Sequence, residues 1–112
     1  MEKDILILLK APFEDGPGTQ WFCPQCAMVE GALRANPQWG DRVEVKRVAF
    51  PRPRADVIAL LGEANQGLPA LVLRKGAVAP AEATMANDRH VLTDPMHIAT
   101  YLAKTYGGAA PH

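Results

Sequence analysis

The stretch Cys23-Pro24-Gln25-Cys26 constrains this chain more than any other. It holds the only two cysteines in 112 residues. Three positions apart on a helix, their side chains are neighbours, and their backbones lie within the roughly 4.4–6.8 Å that a disulfide spans between Cα atoms. Pro24 sets where that helix begins, because proline favours the first helical position, where its missing N–H is not needed. Cys23 is then the N-cap, its sulfur aimed at the free N–H groups of Gln25 and Cys26 and at the positive end of the helix dipole. The sequence predicts that Cys23 ionises more readily than a free cysteine, through the helix end and not through a nearby cation, and that Cys26, one turn in, is shielded. One attacking and one resolving thiol is the expected division.

The rest of the chain alternates strands and helices. Ile5–Leu9 and Ala70–Leu73 are continuously apolar, the mark of strands buried on both faces in the middle of a sheet. Val43–Phe50 alternates Val43 and Val45 with Glu44 and Lys46, as a half-exposed edge strand does. Residues 10–20, with Pro12, Gly16, Pro17 and Gly18, read as a loop. The helix from Pro24 turns Met28, Val29, Ala32 and Leu33 inward and stops near Asn36-Pro37. Glu30 and Arg34 form an exposed i,i+4 pair, and Gly31, costly in a helix, suggests close backbone packing. Pro51-Arg52-Pro53-Arg54 is a stiff basic loop. Ala55–Leu61 is a short helix stopped by Gly62. Residues 63–68 form a loop closed by Pro69. Lys75–Asp88 reads as a loop, with Val78-Ala79 as an alternative hairpin strand, and His90–Leu92 as the fourth strand. Asp94-Pro95 starts a last helix whose inner face is Ile98, Tyr101, Leu102 and Tyr106. Gly107-Gly108 end it.

With no repeat or linker, residues 1–112 read as one domain. Charges balance, with 12 basic and 12 acidic residues, so nothing steers the chain to nucleic acid or an anionic membrane. The early apolar run is too short for a signal segment or a membrane span, which predicts a cytoplasmic protein. In that compartment a C-x-x-C is redox-active or metal-binding more often than a structural staple. A closed zinc site needs four ligands, and His90, His97 and His112 have no helpful spacing, so no metal is expected. Composition sets no oligomeric state.

The element order, with C-x-x-C after the first strand and a proline before the third, resembles the thioredoxin fold over nearly the whole chain. The resemblance implies an α/β, thioredoxin-like domain (βαβ-α-ββα) with a four-stranded mixed sheet flanked by helices. Cys23-Pro24-Gln25-Cys26 is similar to the glutaredoxin motif, although glutaredoxins usually carry an aromatic residue at Gln25. Leu68-Pro69 falls where that fold has its cis-proline, which predicts a cis peptide there. Leu92-Thr93-Asp94-Pro95, with Ile98 and Tyr101-Leu102-Ala103, resembles the end of the glutathione transferase N-terminal domain. The transferases place at Asp94 a serine that binds the γ-glutamyl carboxylate, a group an aspartate repels. Taken whole, the chain also resembles a family of small uncharacterised bacterial proteins of this fold, to which no substrate is assigned.

The resemblance implies a thiol–disulfide oxidoreductase in which Cys23 attacks a substrate disulfide and Cys26 resolves the mixed disulfide. The Leu68-Pro69 backbone would pair with the bound chain. Pro24, Gln25, Arg52, Arg54, Thr93 and Asp94 are expected at the cysteine end, with Arg52 or Arg54 gripping an acidic group. The Lys75–Asp88 loop is expected at the far end. Glu30 would take a proton from Cys26 through water, anchor the helix or stand solvated. Trp21 and Phe22 would shield the thiols, form a docking surface or belong to the core. No cofactor is expected to bind tightly, with glutathione as the implied reductant or ligand. The partner would be a disulfide-bearing protein or a small thiol. The alternatives are a non-catalytic binding module on the same fold and a glutathione-dependent transferase-like protein.

Overall fold

The two continuous apolar runs become the middle of a sheet. A computed structural model describes residues 2–112. Its elements run β1 (Asp4–Leu9), β2 (Phe13–Glu14), β3 (Gln20–Trp21), α1 (Pro24–Ala35), a 3-10 turn (Pro37–Asp41), β4 (Val43–Val48), α2 (Ala55–Leu61), β5 (Ala70–Val72), β6 (Thr84–Ala86), β7 (Arg89–Leu92) and α3 (Pro95–Tyr106). The main sheet has the order β4-β1-β5-β7-β6. β1 runs parallel to β4, with Leu6 opposite Val45, and antiparallel to β5, with Leu6 opposite Leu71. Leu6, Ile7, Leu8, Ala70, Leu71 and Val72 are all fully buried, which is what continuous apolar character in a central strand requires. β4 is an edge strand, as its alternation predicts.

The sheet has five strands, not the expected four. The fifth, β6, comes from the segment expected to be a loop, and it is Thr84–Ala86 and not Val78-Ala79 that pairs. Between β6 and β7 stand only Asn87 and Asp88, both at positive φ (49° and 63°). That is the two-residue primed turn whose twist matches an antiparallel pair, and Asn and Asp tolerate it better than other side chains. A second correction concerns residues 10–20. They form a small two-stranded sheet, with Phe13 opposite Trp21. Phe13 anchors it, stacking on Phe50 with ring centroids 4.3 Å apart.

The helices cover the sheet with the predicted faces. α1 buries Cys26 and Val29, and α3 buries Ile98, Ala99, Tyr101 and Leu102. α1 ends where Asn36-Pro37 predicts, but the chain continues into the 3-10 turn, which buries Trp39 completely. The Trp39 indole donates to the Gly107 carbonyl at 2.8 Å. Asn36 exchanges two hydrogen bonds with the Ala109 backbone, at 2.7 and 3.1 Å, so the end of α1 holds the C-terminal segment. The Leu68-Pro69 peptide is cis as expected, and Ala11-Pro12 and Arg52-Pro53 are cis as well. No helix among the described residues is long and apolar enough to cross a membrane.

Gly31 does not mark a close approach. A Cβ built there meets nothing within 4 Å, and the residue is exposed with ordinary helical φ. Alanine at that position should therefore stabilise the protein by about 0.5–1 kcal/mol, the helical difference between the two residues. A denaturant midpoint that rises in Gly31→Ala at constant slope is the expected result, and a fall would mean that the helix face is covered.

Candidate functional site

Cys23 is the N-cap of α1 and Pro24 its first residue, as the sequence predicts. The Cys26 backbone N–H donates to Cys23 Sγ at 3.2 Å, which leaves that sulfur at the positive end of the helix. Both cysteines are free, Cys23 half-buried and Cys26 only 2 % exposed. They approach within 3.1 Å of each other. Burial pushes the Cys26 thiol up to about 12; its hydrogen bond with Cys23 and the charges of Cys23 and Glu30 act in the same direction, and the Leu9 backbone opposes them. Both thiols line a largely apolar pocket of about 260 Å³ with Leu9, Phe22, Ala27 and Glu30.

On the other side of the motif lies an open groove of about 540 Å³. Gln25 stands at it together with Leu68, Pro69, Thr93 and Asp94, so the structure brings these predicted residues together. Asp94 caps α3, its Oδ1 accepting from the backbone N–H groups of Met96 at 2.8 Å and His97 at 3.3 Å. Thr84, Met85 and Ala86 also line the groove. The 75–88 segment was expected at the far end, and this part of it is not there. β6 pairs antiparallel with β7 and puts Thr84 opposite Val91, next to the start of α3.

Arg52 and Arg54 part company. Arg52 is exposed, whereas Arg54 is buried. The Arg54 guanidinium donates to the Phe50 carbonyl at 2.7 and 2.9 Å and to the Gln66 carbonyl at 2.7 Å, and the Arg54 backbone N–H donates to Gln66 Oε1 at 2.8 Å. Its donors thus tie the loop after β4 to the loop before Pro69, and it is no free grip for an acidic ligand. Burial, then the like charge of Arg52, hold its pKa below the usual arginine range, while negative charge on Cys26 and Cys23 works the other way. Arg54 is therefore a fixed cation in the loop after β4.

Glu30 pairs with Arg47 of β4 and not with Arg34. Arg47 donates to both carboxylate oxygens at 2.8 Å. The hydrogen bonds from Arg47 hold the Glu30 carboxyl below the usual range. Glu30 still faces the thiol pocket. Phe22 and Trp21 are not core residues, standing 61 % and 51 % exposed.

The residues that sequence reasoning missed are Thr84–Ala86 and the inward Arg54. The Asn87-Asp88 pair was a usable turn signal for the first. Nothing local signalled the second, because its acceptors are backbone carbonyls. Among the described residues no group of three or more His, Cys, Asp or Glu side chains could hold a metal ion.

No curated protein and no solved structure matches the chain. A protein-family model does, that of the proteins of unknown function DUF3088, over residues 3–110. With nearly its whole length covered by that match, the chain belongs to the DUF3088 family.

Proposed function

We propose that the protein is a thiol–disulfide oxidoreductase on a thioredoxin-like domain, with Cys23 as nucleophile and Cys26 as resolving thiol. The observation that carries this reading is the unequal pair at the start of α1. One sulfur is accessible and meets a helix N–H at 3.2 Å, and the other is buried one turn behind it with its thiol pushed up to about 12. A structural pair would have no need of the difference. The order β4-β1-β5-β7, with β1 and β4 parallel and β5 reversed, supports the thioredoxin-like assignment. Pro69 lines the groove beside Gln25, ahead of β5.

In the reaction the Cys23 thiolate attacks one sulfur of a substrate disulfide. A Cys23–substrate disulfide forms, and the other substrate sulfur leaves as a thiolate that takes up a proton. The Cys26 thiol then loses its proton and attacks Cys23 Sγ. An intrachain disulfide forms, and the second substrate thiol is released. The dithiol gives up two electrons and two protons in total, and the substrate disulfide gains them. A cellular thiol, glutathione among them, would restore the dithiol by the reverse exchange.

Equilibrating the protein against thiol buffers of known potential tests this. A single two-electron midpoint within about −270 to −120 mV, the span of dithiol redox proteins, is expected. Failure to form the intrachain disulfide at any potential would sink the proposal and leave the binding-module reading.

A further inference from the structure

We infer that the substrate of this site is a polypeptide segment whose cysteine is flanked by apolar residues on one side and by lysine or arginine on the other. The segment would seat between the Trp21–Phe22 surface and Asp94. The inference rests on the proposed function for the cysteine it presents, but not for the docking itself.

The apolar side is a built surface. Two adjacent aromatic side chains are more than half exposed, whereas the other five aromatic residues of the chain are buried or partly buried, and a paired aromatic surface of this kind marks an interaction site. They sit next to the thiols. Phe22 lines the pocket that holds Cys23 and Cys26, and also a second, apolar pocket of about 350 Å³ shared with Pro12 and Trp21. The hairpin that carries them is fixed. Phe13 is stacked on Phe50, and the Trp21 indole donates to the Asp15 carbonyl at 2.9 Å. A surface held in place before binding loses little entropy when a partner covers it.

The other side sets the charge. Among the described residues, no lysine, arginine or histidine lines the groove beyond Gln25, and Asp94 is its single charged group. The N–H groups at the start of α3, which would otherwise receive an anion, already receive the Asp94 carboxylate. A small acidic thiol such as glutathione would bring carboxylates to a groove with no countercharge. A lysine or arginine next to the substrate cysteine would meet one. Phe22 lines the thiol pocket, and Gln25, three residues on, lines the groove that holds Asp94, so both features border the Cys23-Pro24 turn that an extended segment would cross.

Fluorescence anisotropy with a labelled, end-capped peptide tests this. The peptide carries leucine and phenylalanine on one side of a central serine and two lysines on the other. It is made in both sequence directions, with a glutamate version of each. Serine in place of cysteine removes the redox step, so the result is independent of the dithiol potential. The lysine peptide should bind about tenfold or more tighter than its glutamate counterpart, and Asp94→Asn, which keeps a capping side chain, should erase that preference. Trp21→Ala and Phe22→Ala, at exposed positions, should each weaken both peptides several-fold with an unchanged circular dichroism spectrum. Equal binding of the two peptides, no binding of either, or affinity unaltered in the aromatic variants would overturn the inference. A proposed function that is itself wrong would instead appear as a dithiol without a midpoint in the redox titration.

Discussion

Limiting iodoacetamide added to the reduced protein at neutral pH should label Cys23 at least about a hundredfold faster than Cys26. Alkylation takes the thiolate, so rate follows both access and ionised fraction. Cys26 loses on both counts. Its side chain is 2 % exposed, and burial pushes its thiol up to about 12, which keeps it protonated at neutral pH. Cys23 lines the same pocket as Cys26 but is only half-buried. In the proposed reaction the same contacts would time the release of the Cys26 proton. Its hydrogen bond with Cys23 and the charge on Cys23 both help to hold its proton. Both vanish once the Cys23 sulfur is tied up in a mixed disulfide, so the second thiol becomes easier to ionise only after the first has reacted. Peptide mapping of the adduct reads the outcome. Label chiefly on Cys26, or slow and equal label on both, would remove the assignment of nucleophile and resolving thiol and favour a non-catalytic pair.

What the sequence made legible follows from the range of the forces involved. The helix starts at Cys23-Pro24 and Asp94-Pro95 were readable because capping is decided within three residues. The central strands were readable because a short continuous apolar run such as Ile5–Leu9 suits a strand buried on both faces. The small strands were not. β2 and β3 have two residues each, too few for any periodicity, and their placement depends on Phe13 finding Phe50, far along the chain. Glu30 had a local candidate in Arg34 and a distant one in Arg47. The distant one prevailed because a guanidinium reaching across from β4 can donate to both carboxylate oxygens, which a helix neighbour in rapid exchange with water does less well. Arg54 closes a basic loop that reads as free to grip a ligand, yet backbone carbonyls of Phe50 and Gln66 take its donors. Side-chain bonds to distant backbone leave no mark in sequence, and these tie the loop after β4 to the loop before Pro69.

Replacing Asp4 by alanine should destabilise the protein by about 3–5 kcal/mol, the cost of removing one partner from a buried charged network. Asp4 opens β1 and is fully buried. Its Oδ2 accepts from the Tyr106 hydroxyl at 2.7 Å, and its Oδ1 accepts from the Arg74 backbone N–H at 2.7 Å and the Arg74 guanidinium at 3.5 Å. Three elements therefore converge on one carboxylate: the start of β1, the chain just after β5 and the last residue of α3. Alanine would leave a partly buried phenol and a backbone N–H without their acceptor. Against a typical total of about 5–15 kcal/mol, that loss should lower the thermal midpoint by more than about 10 °C. Tyr106→Phe removes one donor and keeps the ring, so it should cost less, about 1–2 kcal/mol. The network also gives stability an alkaline edge. Burial first, and then the Asp4 carboxylate, push the Tyr106 phenol up to about 12 from 10.0. The folded state thus holds that proton more tightly than the unfolded chain does, and the stabilisation is complete below pH 10 and lost as pH rises from about 10 towards 12. Cys26 is raised in the same sense from 9.0 to about 12, and Tyr101 is raised as well. Tyr106→Phe should therefore make the alkaline fall in stability shallower without abolishing it, and Tyr106→Phe combined with Cys26→Ala should flatten it further. Denaturant unfolding followed between pH 8 and pH 11 is the measurement. An Asp4→Ala variant as stable as the parent, or an alkaline slope unchanged in Tyr106→Phe, would mean that the carboxylate does not bind these three elements together.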